Sequence, residues 1–157
     1  MKPLWFAMHS RARERQHGTA AIEFALVFPL LFVMLYGIVT YSMIFVAKQS
    51  LTLAAEEGAR AALNYQSASS AAAALSARSQ SACTVATNSM AWLRGAANCT
   101  AQAQACGYDA SLDCVEVTLT YDYASRPLVP TLPLLGLALP GTLTSAATAQ
   151  INPENLL

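Results

Sequence analysis

The alternation of apolar and polar residues divides the chain into stretches of different character. Residues 1–18 are polar and basic. An unbroken apolar run follows, FALVFPLLFVMLYGIVTYSMIFVA, with no charge from Phe24 to Ala47. Those 24 residues would span about 36 Å as a helix, enough to cross a bilayer with some tilt. Glu23 stands at the edge of this run. A carboxylate at membrane depth is costly, so its position asks for a function. The helix beginning near Thr19 is expected to continue through KQSLTLAAEEGARAALNY to Tyr65. There Leu51, Ala55, Gly58, Ala62 and Tyr65 recur at helical spacing. Glu56 precedes Arg60 by four positions, the favourable order for an ion pair. The stripe is mostly small residues, which admits a close neighbour, either the chain's own domain or another helix.

A Ser-rich break at 66–70 separates this helix from SAAAALSARSQSACTVATNSMAWL, Ala-rich and free of Gly and Pro. It predicts a second helix to about Arg94, with Gly95 as the residue that ends it. The period then changes to two. A strand is expected over 99–106, a turn at GYDASLD, and a strand over 114–123, where Val115, Val117, Leu119 and Tyr121 alternate with Glu116, Thr118, Thr120 and Asp122. Pro127, Pro130, Pro133 and Pro140 exclude a long helix or central strand from RPLVPTLPLLGLALPG. Seven Leu or Val side chains between Leu128 and Pro140 serve either as a cover for one sheet face or as a partner or membrane-proximal surface. A last strand, Leu143 to Ile151, is expected beside the 114–123 strand. The fold class is α+β: a long membrane helix carrying a small domain with a second helix and a short antiparallel sheet. The divisions are a leader over 1–18, a transmembrane helix over 19–47, its continuation over 48–65, and a disulfide-containing domain over 66–157.

Charge orients this arrangement. Lys2, Arg11, Arg13 and Arg15 precede the apolar run, whereas residues 19–157 hold five basic and eight acidic side chains. The positive-inside rule sets the N-terminus in the cytoplasm and the domain on the far side. All four cysteines, Cys83, Cys99, Cys106 and Cys114, fall in that exported part, as suits disulfides in an oxidising compartment. Four cysteines allow three pairings. A hairpin around GYDASLD brings Cys106 to Cys114 and leaves Cys83 for Cys99. An ordinary signal peptide fits poorly. The apolar run exceeds the usual core of about 7–15 residues, and cleavage after Ala47 would put Phe45 where a small residue belongs.

Basic residues, Gly18, four residues (Thr19, Ala20, Ala21, Ile22), Glu23, Phe24 and a long apolar helix follow one another in that order. The arrangement resembles the type III signal of type IV pilins. The wider segment, GTAAIEFALVFPLLFVMLYGIV and then EEGARAAL, resembles the TadE-like minor pseudopilins of the Tad pilus system (Flp, or type IVc). Gly18, Ala20, Ala21, Glu23, Phe24, Ala25, Leu26, Pro29 and Leu31 carry the first part, and Gly58, Ala59, Arg60 and Ala62 the second. The resemblance implies processing by a prepilin peptidase between Gly18 and Thr19, with Glu23, Phe24 and Pro29 serving assembly. It implies other pseudopilins, a major pilin and an inner-membrane assembly platform as partners, and a single-pass inner-membrane protein with a periplasmic domain that enters the extracellular pilus or stays behind. The spacing has a physical sense. Glycine offers a protease no side chain to clear, and cleavage leaves an ammonium on Thr19 that the Glu23 carboxylate of a neighbour can pair with.

Enzymatic readings find little support. Both histidines, His9 and His17, lie in the leader, so a chain cut after Gly18 has none for acid–base work or metal ligation. No cysteine spacing is that of a zinc knuckle or a redox pair. Asp109, Asp113, Glu116 and Asp122 read as a solvated face rather than a calcium site. Zero net charge argues against a nucleic-acid partner. No cofactor is implied. The function expected is that of a structural component in pilus assembly; the alternative is an unprocessed single-pass anchor presenting a periplasmic binding domain.

Overall fold

The computed structural model describes residues 17–93, 95–133 and 135–156. The leader up to Gln16 and Arg94, the expected helix end, lie outside the described residues. The chain is α+β: helix α1 (His17–Ala62), helix α2 (Ala71–Ser89), and strands β1 (Ala97–Cys106), β2 (Asp109–Asp122) and β3 (Thr142–Ile151), with short 3-10 turns at Ala91–Leu93, Leu135–Ala138 and Pro153–Asn155. Contacts divide it into two units, one ending at Val39 and one running from Thr40 to Leu157. The described part of the first is helix alone.

The second unit is built on a three-stranded antiparallel sheet with β2 in the centre. Tyr121, Leu119, Val117 and Val115 of β2 stand opposite Leu143, Ser145, Ala147 and Ala149 of β3, and opposite Ala97, Cys99, Ala101 and Ala103 of β1. The period-two reading of β2 holds, since Val115, Val117, Leu119 and Tyr121 are all buried. Their other-face neighbours Glu116, Thr118 and Thr120 pair with Gln102, Thr100 and Asn98, leaving a polar face. Ile44, Ala47, Leu51, Ala55, Ala59 and Ala62 of α1, with Ala82 and Ala86 of α2, share one core with the apolar sheet face. Each buried Val or Leu contributes about 1.5–3 kcal/mol. Burial also pushes the Tyr121 hydroxyl above the ordinary tyrosine range, and that hydroxyl donates to the Arg126 carbonyl.

Several boundaries differ from expectation. α1 stops at Ala62, where Leu63 and Asn64 donate to Arg60 and Ala61 at 3.1 and 3.2 Å in tighter, 3-10-type bonds; Tyr65 is therefore off the helix and exposed. α2 opens with the Ser70 hydroxyl accepting from the Ala73 N–H at 3.3 Å, but it ends at Ser89 rather than near Arg94. The hydroxyls of Thr84, Thr87 and Ser89 bond back to carbonyls four residues earlier, a habit that weakens helices. The 3-10 turn after Met90 then folds Leu93 into the core. Gly95 therefore does not end the helix, whose cap is Met90; it takes a left-handed φ of +81° beyond the 3-10 turn, and its carbonyl accepts from Arg126 Nη1 at 2.6 Å.

The hairpin turn is shorter than the GYDASLD expected. Only Gly107 and Tyr108 lie between the strands, because the register jumps from Ala105↔Asp113 to Cys106↔Asp109 and the extra residues bulge from β2. The Asp109 carboxylate accepts from the Ser111 hydroxyl and N–H at 2.7 and 2.9 Å, which holds its pKa below the usual carboxylate value. Cys106 is bonded to Cys114 across this irregularity, and Cys83 of α2 to Cys99 of β1, with Cα separations of 5.0 and 5.7 Å. The chain between the partners is short, so the unfolded-state constraint comes to about 2.5 kcal/mol for the hairpin bridge and about 3 kcal/mol for the helix-to-strand bridge. Reduction is expected to lower the melting temperature of the Thr40–Leu157 unit. Replacing Cys83 and Cys99 together by serine should lower it more than replacing Cys106 and Cys114. Thermal melts with and without reductant, beside non-reducing peptide maps, check both statements.

Candidate membrane and assembly segment

The first unit presents an uncovered apolar helix. Ile22, Phe24, Leu26, Val27, Phe28, Leu30, Leu31, Phe32, Val33, Met34 and Leu35 are exposed. In the whole chain's described residues α1 is the one helix long and apolar enough to cross a membrane. Phe24, Phe28 and Phe32 stack along one face at centroid distances of 5.3 and 6.4 Å, as side chains four apart do. Pro29 lies within the helix. It has no N–H to give the Ala25 carbonyl, a gap that helices in membranes tolerate.

Gly18 and Thr19 fall in the first turn of α1. There the N–H groups have no acceptor within the helix, so this turn opens at little cost. Glu23 is exposed and follows Thr19 by four positions, one helical turn. Its other neighbours at helical spacing, Leu26, Val27 and Leu30, are apolar.

Within the second unit, α1 turns a stripe of small residues inward. Ala54, Ala55, Ala59 and Ala62 are buried. A Cβ on Gly58 would meet the Ala82 carbonyl oxygen at 2.9 Å, Ala86 Cβ at 2.9 Å and Val117 Cγ1 at 3.2 Å. Gly58 is thus a point where α1 packs closely against both α2 and β2. Of the two readings of the stripe, packing on the chain's own domain is the one realised. Arg60 pairs with Glu57 at 3.0 Å rather than with Glu56, since positions three and four apart are equally within reach on a helix.

A family model described as TadE-like protein matches residues 18–60. That segment is similar to the TadE-like family. The match starts at Gly18, ends at Arg60 beside Gly58, and so covers nearly all of α1 and none of the sheet. No curated protein and no solved structure matches the chain. The TadE-like family is associated with the Tad pilus, and its two-part pattern acquires two physical roles here: an exposed apolar half and a half buried in the domain.

The cysteines lie in the second unit, in the two bridges described above. Asp109, Asp113, Glu116 and Asp122 do not converge, and among the described residues no three His, Cys, Asp or Glu side chains gather at one point. Sequence reasoning missed the polar ties that fasten α1 to the rest of its unit: Lys48 Nζ to the Thr144 carbonyl, Thr52 Oγ1 to Ser145 Oγ at 3.0 Å, Trp92 Nε1 to Ser50 Oγ at 3.3 Å, and Tyr41 to Ala138 at 2.7 Å. Only the polar interruptions after Val39 signalled them.

Proposed function

We propose that the protein is a minor pseudopilin, a structural component in assembly of a Tad/Flp-type pilus. A prepilin peptidase would cut between Gly18 and Thr19. The remaining chain spans the inner membrane once, N-terminus towards the cytoplasm and the Thr40–Leu157 unit in the periplasm. From there it joins other pseudopilins, the major pilin and the assembly platform, and either enters the fibre or initiates it from the membrane.

The observation that carries this reading is Glu23: an exposed carboxylate five positions after Gly18, on a helix whose apolar side chains are exposed, inside the TadE-like segment. A protein whose first helix served only as a passive anchor would have no use for that charge. Mass analysis of the chain recovered from membranes of cells with an active prepilin peptidase tests the proposal. A mature chain beginning at Thr19 is expected. Retention of Met1 would leave an unprocessed anchor presenting a periplasmic binding domain, and the pseudopilin reading would fall.

A further inference from the structure

The folded Thr40–Leu157 unit begins inside the apolar run instead of after it. Thr40 is 1% exposed and Ile44 9%, yet both belong to the uncharged stretch from Phe24 to Ala47. The hydrocarbon of a bilayer takes about 20 helical residues, and the headgroup layers add about 5–8 Å on each side. Counted from Ala20 the hydrocarbon ends at Val39; counted from Phe24 it ends at Met43. Either count sets Tyr41 at the outer boundary, where tyrosine is favoured. If α1 spans a bilayer, Tyr41 and what is bonded to it lie at that boundary.

What the unit holds at that level is the Pro-rich segment. The Tyr41 hydroxyl donates to the Ala138 carbonyl at 2.7 Å, at the end of the 3-10 turn Leu135–Ala138. From Pro127 to Gly141 there is no charged residue. Leu128 and Leu139 pack against the core, whereas Leu137 is 91% exposed, more than any other large apolar side chain among the described residues. The two readings of the segment thus fall to different leucines, two inward and one outward.

We infer that the Leu135–Ala138 turn is a second membrane contact, entering the boundary between headgroups and acyl chains beside α1 with Leu137 as its apolar insert. Irregular backbone enters lipid only where its polar groups are satisfied. Here the Ala138 carbonyl is taken by Tyr41, and the Leu139 N–H donates to Gly136 at 3.2 Å. The first charge past Tyr41 on the helix is Lys48, about 10 Å further along the axis, with its ammonium held by the Thr144 carbonyl. Charge therefore begins where the headgroups give way to water. The occupant this chemistry fits is lipid, because the turn is fastened to Tyr41, which itself belongs to the uncharged run. The inference rests on the membrane reading of α1 and not on processing or pilus assembly.

The test places the photoreactive residue p-benzoylphenylalanine singly at Leu31, Leu137 or Tyr108 of the full chain, reconstituted in phosphatidylethanolamine–phosphatidylglycerol vesicles. Leu31 reports on the span itself, and Tyr108, 72% exposed at the hairpin tip, reports on water. After irradiation, lipid adducts are expected at Leu31 and Leu137 and none at Tyr108. Lipid at Leu31 without lipid at Leu137, or a cross-linked second copy of the chain at Leu137 in its place, overturns the inference and leaves the span intact. Adducts at all three positions also overturn it, since the turn is then no different from the hairpin tip. Failure at Leu31 removes the span and the inference with it.

Discussion

Replacing Gly58 with leucine unfolds the Thr40–Leu157 unit, and replacing it with alanine lowers its stability. Two effects oppose each other in the alanine variant. Alanine favours a helix interior over glycine by about 1 kcal/mol. Against that, the new Cβ would lie 2.9 Å from both the Ala82 carbonyl oxygen and Ala86 Cβ. Neither is the free end of a flexible side chain, so α1 and α2 must separate to admit it, and overpacking of this kind costs about 1–3 kcal/mol. The clash wins, by up to about 2 kcal/mol. Leucine adds three more carbons to the same gap and exceeds what a unit of this size can absorb. Gly37 supplies the control. A Cβ there meets nothing within 4 Å, so Gly37→Ala keeps the helix gain without the clash and is expected not to lower the melt. Circular dichroism melts of the detergent-solubilised variants decide the matter; a Gly58→Leu protein that melts with the parent would disprove the close approach.

Gly58 also shows what the sequence could and could not disclose. Its place on a small-residue stripe was legible from helical spacing, and the sheet strand from Val115 to Tyr121 from its period of two. Both signals are one-dimensional, and both hold. The identity of the helix's neighbour was not legible, because a stripe of small residues states only that something approaches closely. The hairpin shows the same limit. Turn-forming residues in GYDASLD suggested a wide loop, yet the register jump after Ala105 pulls Asp109 into pairing with Cys106 and leaves only Gly107 and Tyr108 between the strands. A bulge depends on pairing with another strand, which no local composition encodes. The end of α2 failed for a different reason: absence of Gly and Pro was read as permission to continue, while hydroxyls bonding to their own helix were already weakening it. At the candidate site, the exposed place of Glu23 at the edge of the apolar run was legible from the residues alone. Tyr41 was not, since a tyrosine beyond the middle of such a run is common and its partner Ala138 lies 97 residues away.

Replacing Glu23 with alanine is expected to leave insertion and processing intact while abolishing assembly with other pilus subunits. Insertion becomes easier, because removing a carboxylate from the helix saves up to about 3 kcal/mol at depth and less near the interface. Processing depends on Gly18 and on access to the bond before Thr19, in the first turn of α1; the Glu23 side chain lies a turn beyond. On the pseudopilin reading, what the variant would lack is a partner for the ammonium that cleavage would create on a neighbour's Thr19. Removing one member of a buried ion pair leaves the other uncompensated, at a cost of about 3–5 kcal/mol, which corresponds to a loss of more than about a hundredfold in association. Glu23→Asp should fall between, its carboxylate reaching one methylene less. Glu23→Gln separates charge from shape, since it keeps the length and can accept a hydrogen bond but cannot neutralise the ammonium. The comparison is the level of cleaved protein in membranes against its co-purification with pilus subunits. Normal cleavage with lost co-purification for both Glu23→Ala and Glu23→Gln is the expected pattern. If Glu23→Ala co-purifies as well as the parent, the carboxylate only reaches back to the headgroups, and pairing across subunits is not what holds it in the helix.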